Sequence, residues 1–212
     1  MILELMTYKG KKSRVCAPEE GYNLYADIYE GDIGYLNSFE KDVLINTLGD
    51  LKGKRVLDLG AGTGRMIHHL RNLGATVVAV DVSEKMLERL KKRYADVECH
   101  VADVENLPFE DESFDLVLAA FLIVHLGDLT TAFDEAYRVL KPGGYFVVTN
   151  INQRRAPKLK LKNGEGIVID SYYHRPEDVL KALNGSFFEI KKEDFVMEGK
   201  AWTNQIIKAF KN

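Results

Sequence analysis

The chain has 212 residues, 46% hydrophobic and 29% charged, with a net charge of −3 and only two cysteines. That suffices for one domain with its own core, and the charge excludes a global pull toward nucleic acid or an anionic membrane. Cys16 and Cys99 form no close pair, which argues against a disulfide framework or zinc knuckle and for a reducing cytoplasm. No apolar run approaches the ~18 residues of a membrane span, and the opening residues, with Glu4 among them, do not read as a signal peptide.

Residues 1–20 are mixed, and the basic cluster Lys9, Lys11, Lys12 and Arg14 reads as a solvated arm. Tyr22, Tyr25 and Tyr29 recur at helical spacing, a stripe that more often packs than reacts. Phe39, Val43, Leu44, Leu48 and Leu51 predict an amphipathic helix over 38–51, ended by Lys52-Gly53. Val56, Leu57 and Leu59 then form a short buried strand that breaks at Gly60. Gly60, Gly62 and Gly64 follow at alternate positions, and Met66, Ile67, Leu70 and Leu73 restart with helical spacing. Strand, glycines and helix together let backbone approach a ligand where no Cβ intervenes, at a helix start with free N–H groups. A dinucleotide fingerprint needs a third glycine where Arg65 stands, which disfavours an NAD-dependent oxidoreductase.

Thr76–Val80 is a second buried strand ending in Asp81. A carboxylate at a strand tip about 20 residues past such a turn suits a ribose diol, since each oxygen accepts one hydroxyl hydrogen bond. Its competing role, capping the next helix, falls to Ser83 ahead of Met86, Leu87 and Leu90. Val97–Val101 is a third strand and places Asp103 at its end, which by itself reads equally as a turn aspartate. Phe114–Ala120 is a fourth strand, and Asp128–Val139 a helix stopped by Leu140-Lys-Pro-Gly-Gly144. Tyr145–Thr149 is a fifth.

Asp58 with Gly60-Ala-Gly-Thr-Gly64, Asp81, Leu107-Pro-Phe109 with Phe114-Asp-Leu-Val117, and Leu140-Lys-Pro-Gly-Gly144 stand in one order. In that order they resemble the class I S-adenosylmethionine-dependent methyltransferases, closest to the methyltransferase 11-like group. The resemblance implies an α/β, Rossmann-like, doubly wound seven-stranded sheet, mostly parallel with an antiparallel C-terminal strand. It implies S-adenosyl-L-methionine as cofactor, held by Asp58, Gly60, Ala61, Gly62, Gly64, Asp81, Val82, Met86, Asp103, Val104, Ala119, Ala120 and Tyr25. In such a site Val82 lies under the adenine, and Asp103 with the next N–H reads the adenine edge. Residues 1–52 would form an N-terminal helical cap on a single domain spanning 1–212, and 152–175 an inserted hairpin or lid.

Beyond Asn150 the pattern is general. Lys158-Leu-Lys-Leu-Lys162 alternates as a two-faced strand, Asn163–Gly166 turns, and Ile167–Tyr172 returns. With Arg154 and Arg155 this is either a solvated basic hairpin or a contact for an anionic acceptor. Pro176–Leu183 is a helix opened by proline, and Phe187–Val196 and Trp202–Phe210 are the last strands. Methyl transfer needs in-line positioning and exclusion of water; no metal cluster, cysteine nucleophile or triad is found. A base is needed only for an acceptor that enters protonated, and the candidates are His125, Tyr25 and His174, although His125 reads more readily as a structural or pocket-lining histidine. The acceptor is expected to be a small molecule and the protein a cytoplasmic monomer or homodimer. The alternatives are the same chemistry on tRNA or protein, or a non-catalytic cofactor-binding partner.

Overall fold

The computed structural model describes residues 13–40 and 42–212; Lys9, Lys11 and Lys12 of the basic cluster lie outside them. The first element is a strand, β1 (Arg14–Cys16), followed by α1 (Pro18–Tyr25), a tight turn of helix at Tyr29–Asp32, α2 (Ile33–Ser38) and α3 (Val43–Leu48). Then come β2 (Arg55–Leu59), α4 (Ile67–Asn72), β3 (Thr76–Asp81), α5 (Glu84–Arg93), β4 (Glu98–Val101) and β5 (Phe114–Ala119). A single turn at Ile123–His125 precedes α6 (Thr130–Val139), β6 (Leu140–Ile151), β7 (Lys158–Lys160), β8 (Gly166–Ile169), α7 (Pro176–Gly185), β9 (Glu189–Glu198) and β10 (Ala201–Phe210).

Seven strands form the main sheet in the order β4-β3-β2-β5-β6-β10-β9. Neighbours from β4 to β6 are parallel, and β10 runs antiparallel to both β6 and β9. This is the α/β doubly wound, seven-stranded sheet that the sequence predicts. Alternation builds its two faces. Leu57, Leu59, Val78 and Val80 pack with Phe133, Ala136, Val179 and Leu183 of α6 and α7. Val56, Val77 and Ala79 pack with Leu44, Ile67, Leu70, Leu87 and Leu90 of α3, α4 and α5. The strand order reverses between β2 and β5, so a crevice opens outside their carboxyl ends, where such sheets place ligands.

Several predicted elements are corrected. Residues 14–20 are no solvated arm, because Arg14–Cys16 pairs in parallel with Ile167–Ile169 and buries Cys16. α1 therefore starts at Pro18, and Tyr29 lies beyond it in the next turn. The helix expected over 38–51 shrinks to Val43–Leu48, since Phe39 turns its ring edge-on to Phe121 and Glu40 reaches Arg65. Leu140-Lys-Pro-Gly-Gly144 does not stop α6 on a glycine: Leu140 is already extended and pairs with Phe114. A register shift between Phe114 and Leu116 absorbs Pro142 and Gly143 inside β6.

A second, three-stranded sheet has the order β1-β8-β7, with β7 antiparallel to β8. Cys16, Tyr25, Leu161, Ile167 and Ile169 form its small core. Gly21 lets α1 lie against it, since a Cβ there would stand 2.6 Å from Ile169 Cγ1.

Candidate active site

One cavity of about 630 Å³ lies outside the carboxyl ends of the main strands, within the ~300–1,000 Å³ usual for small-molecule sites. Its inner wall is made by the tips of β2, β3, β4 and β5, and its outer wall by α1 with residues 151–172.

The inner wall begins at the glycine turn. Gly62 has φ +57°, and a Cβ there would meet only Tyr29 Cε1 at 3.9 Å, so the missing side chain leaves backbone open to the cavity. Gly64, at φ +87°, serves packing instead. A Cβ there would press on Leu90 Cγ at 3.0 Å and Tyr94 Cε2 at 3.2 Å. Asp81 closes the turn from β3: its Oδ2 accepts the Gly62 N–H at 2.8 Å and its Oδ1 the Ser83 N–H at 2.8 Å. Ser83 Oγ in turn accepts the Met86 N–H, capping α5 as expected, and donates to Asn23 Oδ1 of α1.

Two buried carboxylates face this turn. Burial raises Asp81 to about 6, against the downward pull of the Ser83 and Gly62 N–H groups. Burial likewise raises Asp58 to about 7; Arg65 opposes this, while Asp81 and Glu40 add to it. Asp58 Oδ2 and Thr63 Oγ1 are buried without a hydrogen-bond partner. Neither residue lines the cavity; what fits a polar ligand there is the Asp81 carboxylate beside the space that the missing Gly62 side chain leaves.

On the outer wall the Tyr22 hydroxyl lies 2.7 Å from His125 Nε2, and His125 Nδ1 lies 2.8 Å from the Asp170 carbonyl oxygen. A carbonyl only accepts, so Nδ1 carries the proton and Nε2 accepts from Tyr22. Burial lowers the His125 pKa against the pull of the Asp170 carbonyl, so the ring is neutral at pH 7. Burial, then Tyr29, Asp81 and Tyr25, hold Tyr22 well above the usual tyrosine range, so its phenol stays protonated.

Of the residues singled out from the sequence, Gly60, Gly62, Asp81, Val82, Met86, Asp103, Val104, Ala120, Tyr25 and His125 line the cavity. Asp58, Ala61, Gly64 and Ala119 do not; they sit behind the wall in the core or the turn. His174 is not at the cavity either. Its Nε2 donates to the Ile123 and Leu126 carbonyls at 3.0 and 2.9 Å, which fastens the turn that carries His125. The alternation of β7 turns Leu159 toward the cavity and leaves Lys158 and Lys160 exposed. Lys162 pairs with Asp27 at 3.5 Å, and Arg154 stacks on Tyr173 at 5.0 Å.

Other features were not singled out. In the sequence Tyr22 reads only as part of a packing stripe. Arg65, noted only as a missing glycine, makes a two-pronged bond to Glu40 at 2.5 and 2.9 Å, with both side chains buried. It also lies over the Phe121 ring at 5.1 Å. Phe121 has φ +61° at the tip of β5, a strained conformation held by its N–H on Thr149 Oγ1 at 2.9 Å. No local spacing signals these pairings, which join positions 25 to 103 residues apart.

Residues 57–148 match the family described as Methyltransferase domain. The chain is 36% identical over 125 residues to malonyl-[acyl-carrier protein] O-methyltransferase of Salmonella typhimurium, covering 59% of this chain and 50% of that protein. It is 42% identical over 111 residues to demethylmenaquinone methyltransferase of Clavibacter sepedonicus, covering 51% of this chain and 45% of that one. The match thus spans about half the length of these curated relatives. A solved structure from Pyrococcus horikoshii OT3 superposes with a TM-score of 0.74 at 23% identity, covering 96% of this chain and 100% of its own. That last likeness concerns the fold alone.

Proposed function

We propose that this chain transfers the methyl group of S-adenosylmethionine to a small-molecule acceptor. The observation that carries the reading is Asp81, a buried carboxylate closed onto the Gly62 N–H at the sheet's switch point, in one cavity with the Tyr22–His125 pair. When bound, the cofactor supplies a methyl group on a positively charged sulfur, already activated toward a nucleophile.

The chain's own groups bind and orient. Asp81 accepts the ribose hydroxyls through the lone pairs its two N–H partners leave free. Gly60 and Gly62 admit backbone contact, Val82 and Met86 give the adenine an apolar bed, and Asp103 with Val104 reads its edge. Ala120 and Tyr25 border the methionine portion. Asp58 serves from behind the turn, and Ala61, Gly64 and Ala119 shape it without touching ligand. Holding donor and acceptor in line with water excluded is worth up to ~7–11 kcal/mol. His125 is the base when the acceptor enters protonated.

We read residues 1–52, of which 1–12 and 41 lie outside the described residues, as the cap and 152–175 as an acceptor lid of a single unit, a reading supported by the pairing of β1 with β8. A cytoplasmic monomer or homodimer is our reading of its state. Two free cysteines support the compartment, and among the described residues no helix is long and apolar enough to cross a membrane.

The test is transfer from labelled S-adenosylmethionine into a host extract split into small-molecule, RNA and protein fractions. Label is expected in the small-molecule fraction. Label confined to RNA or protein overturns the acceptor class, and failure to bind the cofactor by calorimetry overturns the whole reading.

A further inference from the structure

Both ring nitrogens of His125 are already engaged. Nδ1 donates to the Asp170 carbonyl at 2.8 Å, and Nε2 accepts the Tyr22 hydroxyl hydrogen at 2.7 Å. The two rings meet edge to face, at 89° with centroids 5.2 Å apart. A ligand therefore reaches an imidazole nitrogen only by displacing one of these partners. Tyr22 itself lines the cavity, and its oxygen, with the hydrogen committed to His125, keeps its lone pairs; among the described residues nothing else hydrogen-bonds to it.

The position of Tyr22 is fixed by its neighbours on α1. Gly21, just before it, lies against Ile169 of the small sheet. Asn23, just after it, accepts the Ser83 Oγ–H at 2.8 Å and the Lys85 N–H at 3.1 Å. Ser83 gives its own N–H to Asp81. Asn23 and Ser83 thus tie the tyrosine's helix to the carboxylate read above as the ribose site. Registration of this kind is what transfer between two bound molecules asks of a group that must meet one of them.

From this geometry we infer that Tyr22 is the catalytic residue that meets the acceptor, taking a hydrogen bond from its hydroxyl, amine or ammonium, and that His125 acts only through Tyr22, as the positioning residue behind it. The inference rests on the methyl-transfer reading for the word acceptor, while the preference of the Tyr22 oxygen for a donor stands on the cavity alone. On transfer the acceptor's lone pair bonds to the methyl carbon, and the pair of the methyl–sulfur bond stays on sulfur. The acceptor's hydrogen passes to the Tyr22 oxygen and leaves its bonding pair on the acceptor atom. In the same motion the Tyr22 hydrogen passes to His125 Nε2, so the phenol is never ionised and the positive charge ends on the imidazolium. An ammonium gives up a hydrogen by this route before its lone pair attacks. The burial that holds the phenol well above its ordinary range suits a group that passes a proton on and keeps no charge.

The test titrates the full chain by calorimetry with three probes that share one ring system: naphthol, naphthylmethylammonium and methoxynaphthalene, the last with no hydrogen to donate. Both donors are expected to bind at least about tenfold more tightly than the ether. In the unmutated chain naphthol should shift the His125 Nε2 resonance more than the ether does, a readout that needs no variant to fold. Tyr22→Phe, which keeps the ring and removes the oxygen, should bring the donors and the ether within about twofold of each other and leave S-adenosylmethionine affinity within about twofold of the unmutated chain. An ether that binds as tightly as both donors overturns the inference, as does an equal His125 shift with both probes, or no binding by any probe. A Tyr22→Phe variant that keeps the donor preference, or that loses cofactor affinity, overturns it too. The relay is read with the small-molecule fraction of host extract as the acceptor source. Label transfer should fall at least about 100-fold in Tyr22→Phe and no further in the double variant with His125→Gln, because the two act as one unit; additive losses overturn the relay. A donor preference seen without cofactor binding fells the methyl-transfer reading alone.

Discussion

On the inner wall of the cavity Gly60, Gly62, Asp81 and Asp103 stand at the ends of strands that follow one another closely along the chain. On the outer wall Tyr22 meets His125, and Arg14–Cys16 meets Ile167–Ile169. The inner wall is fixed by turn geometry and by strand length, both local properties. The outer wall exists only through contacts between distant segments, so the two should fail in different ways. A lesion of the inner wall should cost ligand affinity, and a lesion of the outer wall should cost packing.

The largest effect is expected at the glycine turn. Gly62→Val puts a β-branched side chain at φ +57° and into the cavity, and should cut S-adenosylmethionine affinity by more than about 100-fold by calorimetry. Normal binding would mean the turn does not touch the ligand. Glu40→Ala, at the junction of the walls, strands a buried Arg65 and should cost about 3–5 kcal/mol of stability in denaturant melts. A loss below about 1 kcal/mol would mean that the guanidinium reaches solvent without its partner. Asp81→Ala should weaken the cofactor by about 2–4 kcal/mol through lost charge-assisted bonds to the ribose, and an unchanged affinity removes the ribose role.

Gly21→Ala acts on the outer wall alone. Its Cβ would stand 2.6 Å from Ile169 Cγ1, and overpacking of this kind costs about 1–3 kcal/mol. Thermal melts should show that loss with cofactor affinity little changed, and the reverse pattern would break the division between walls. The smallest effect concerns pH. Asp58 and Asp81 sit at about 7 and about 6 in the unliganded protein, above their unfolded values. Their contribution to stability is full below the ordinary carboxylate range and is lost as pH rises through those two values. The ligand's hydroxyls favour the ionised form, so cofactor affinity should rise roughly tenfold between about pH 5 and 8. A flat profile in calorimetry would show that ligand binding does not select the carboxylates.

The same division decides what was legible in the residues. Asp58, Gly60 and Gly62 form one local word, and Asp81 announces itself because Ser83 takes the capping role it would otherwise share. The individual strands follow from apolar runs of the right length, while the seven-stranded sheet is what the resemblance implies and the structure bears out. Tyr22 reads as packing because its spacing fits a helix face, while its use comes from a histidine 103 positions away. His174 draws attention as a titratable group, yet two backbone carbonyls claim it. The parallel pairing of Arg14–Cys16 leaves no trace in three residues of mixed polarity. A helix period over 38–51 is real, but the Glu40–Arg65 pair and the Phe39–Phe121 contact claim its first turn.

The β1–β8 pairing also sets an order of assembly. On a ribosome β2 to β6 all emerge before Gly166, whereas Cys16 waits through about 150 further residues for its neighbouring strand, roughly 8–30 s at ordinary rates of elongation. Throughout that interval Arg14–Cys16 has no partner and its thiol no cover. The parallel strands that carry the glycine turn and Asp81 thus emerge whole while the other half of the pocket is still unmade. The nascent chain emerges first as an open cradle, and the outer wall of its cavity closes over it last.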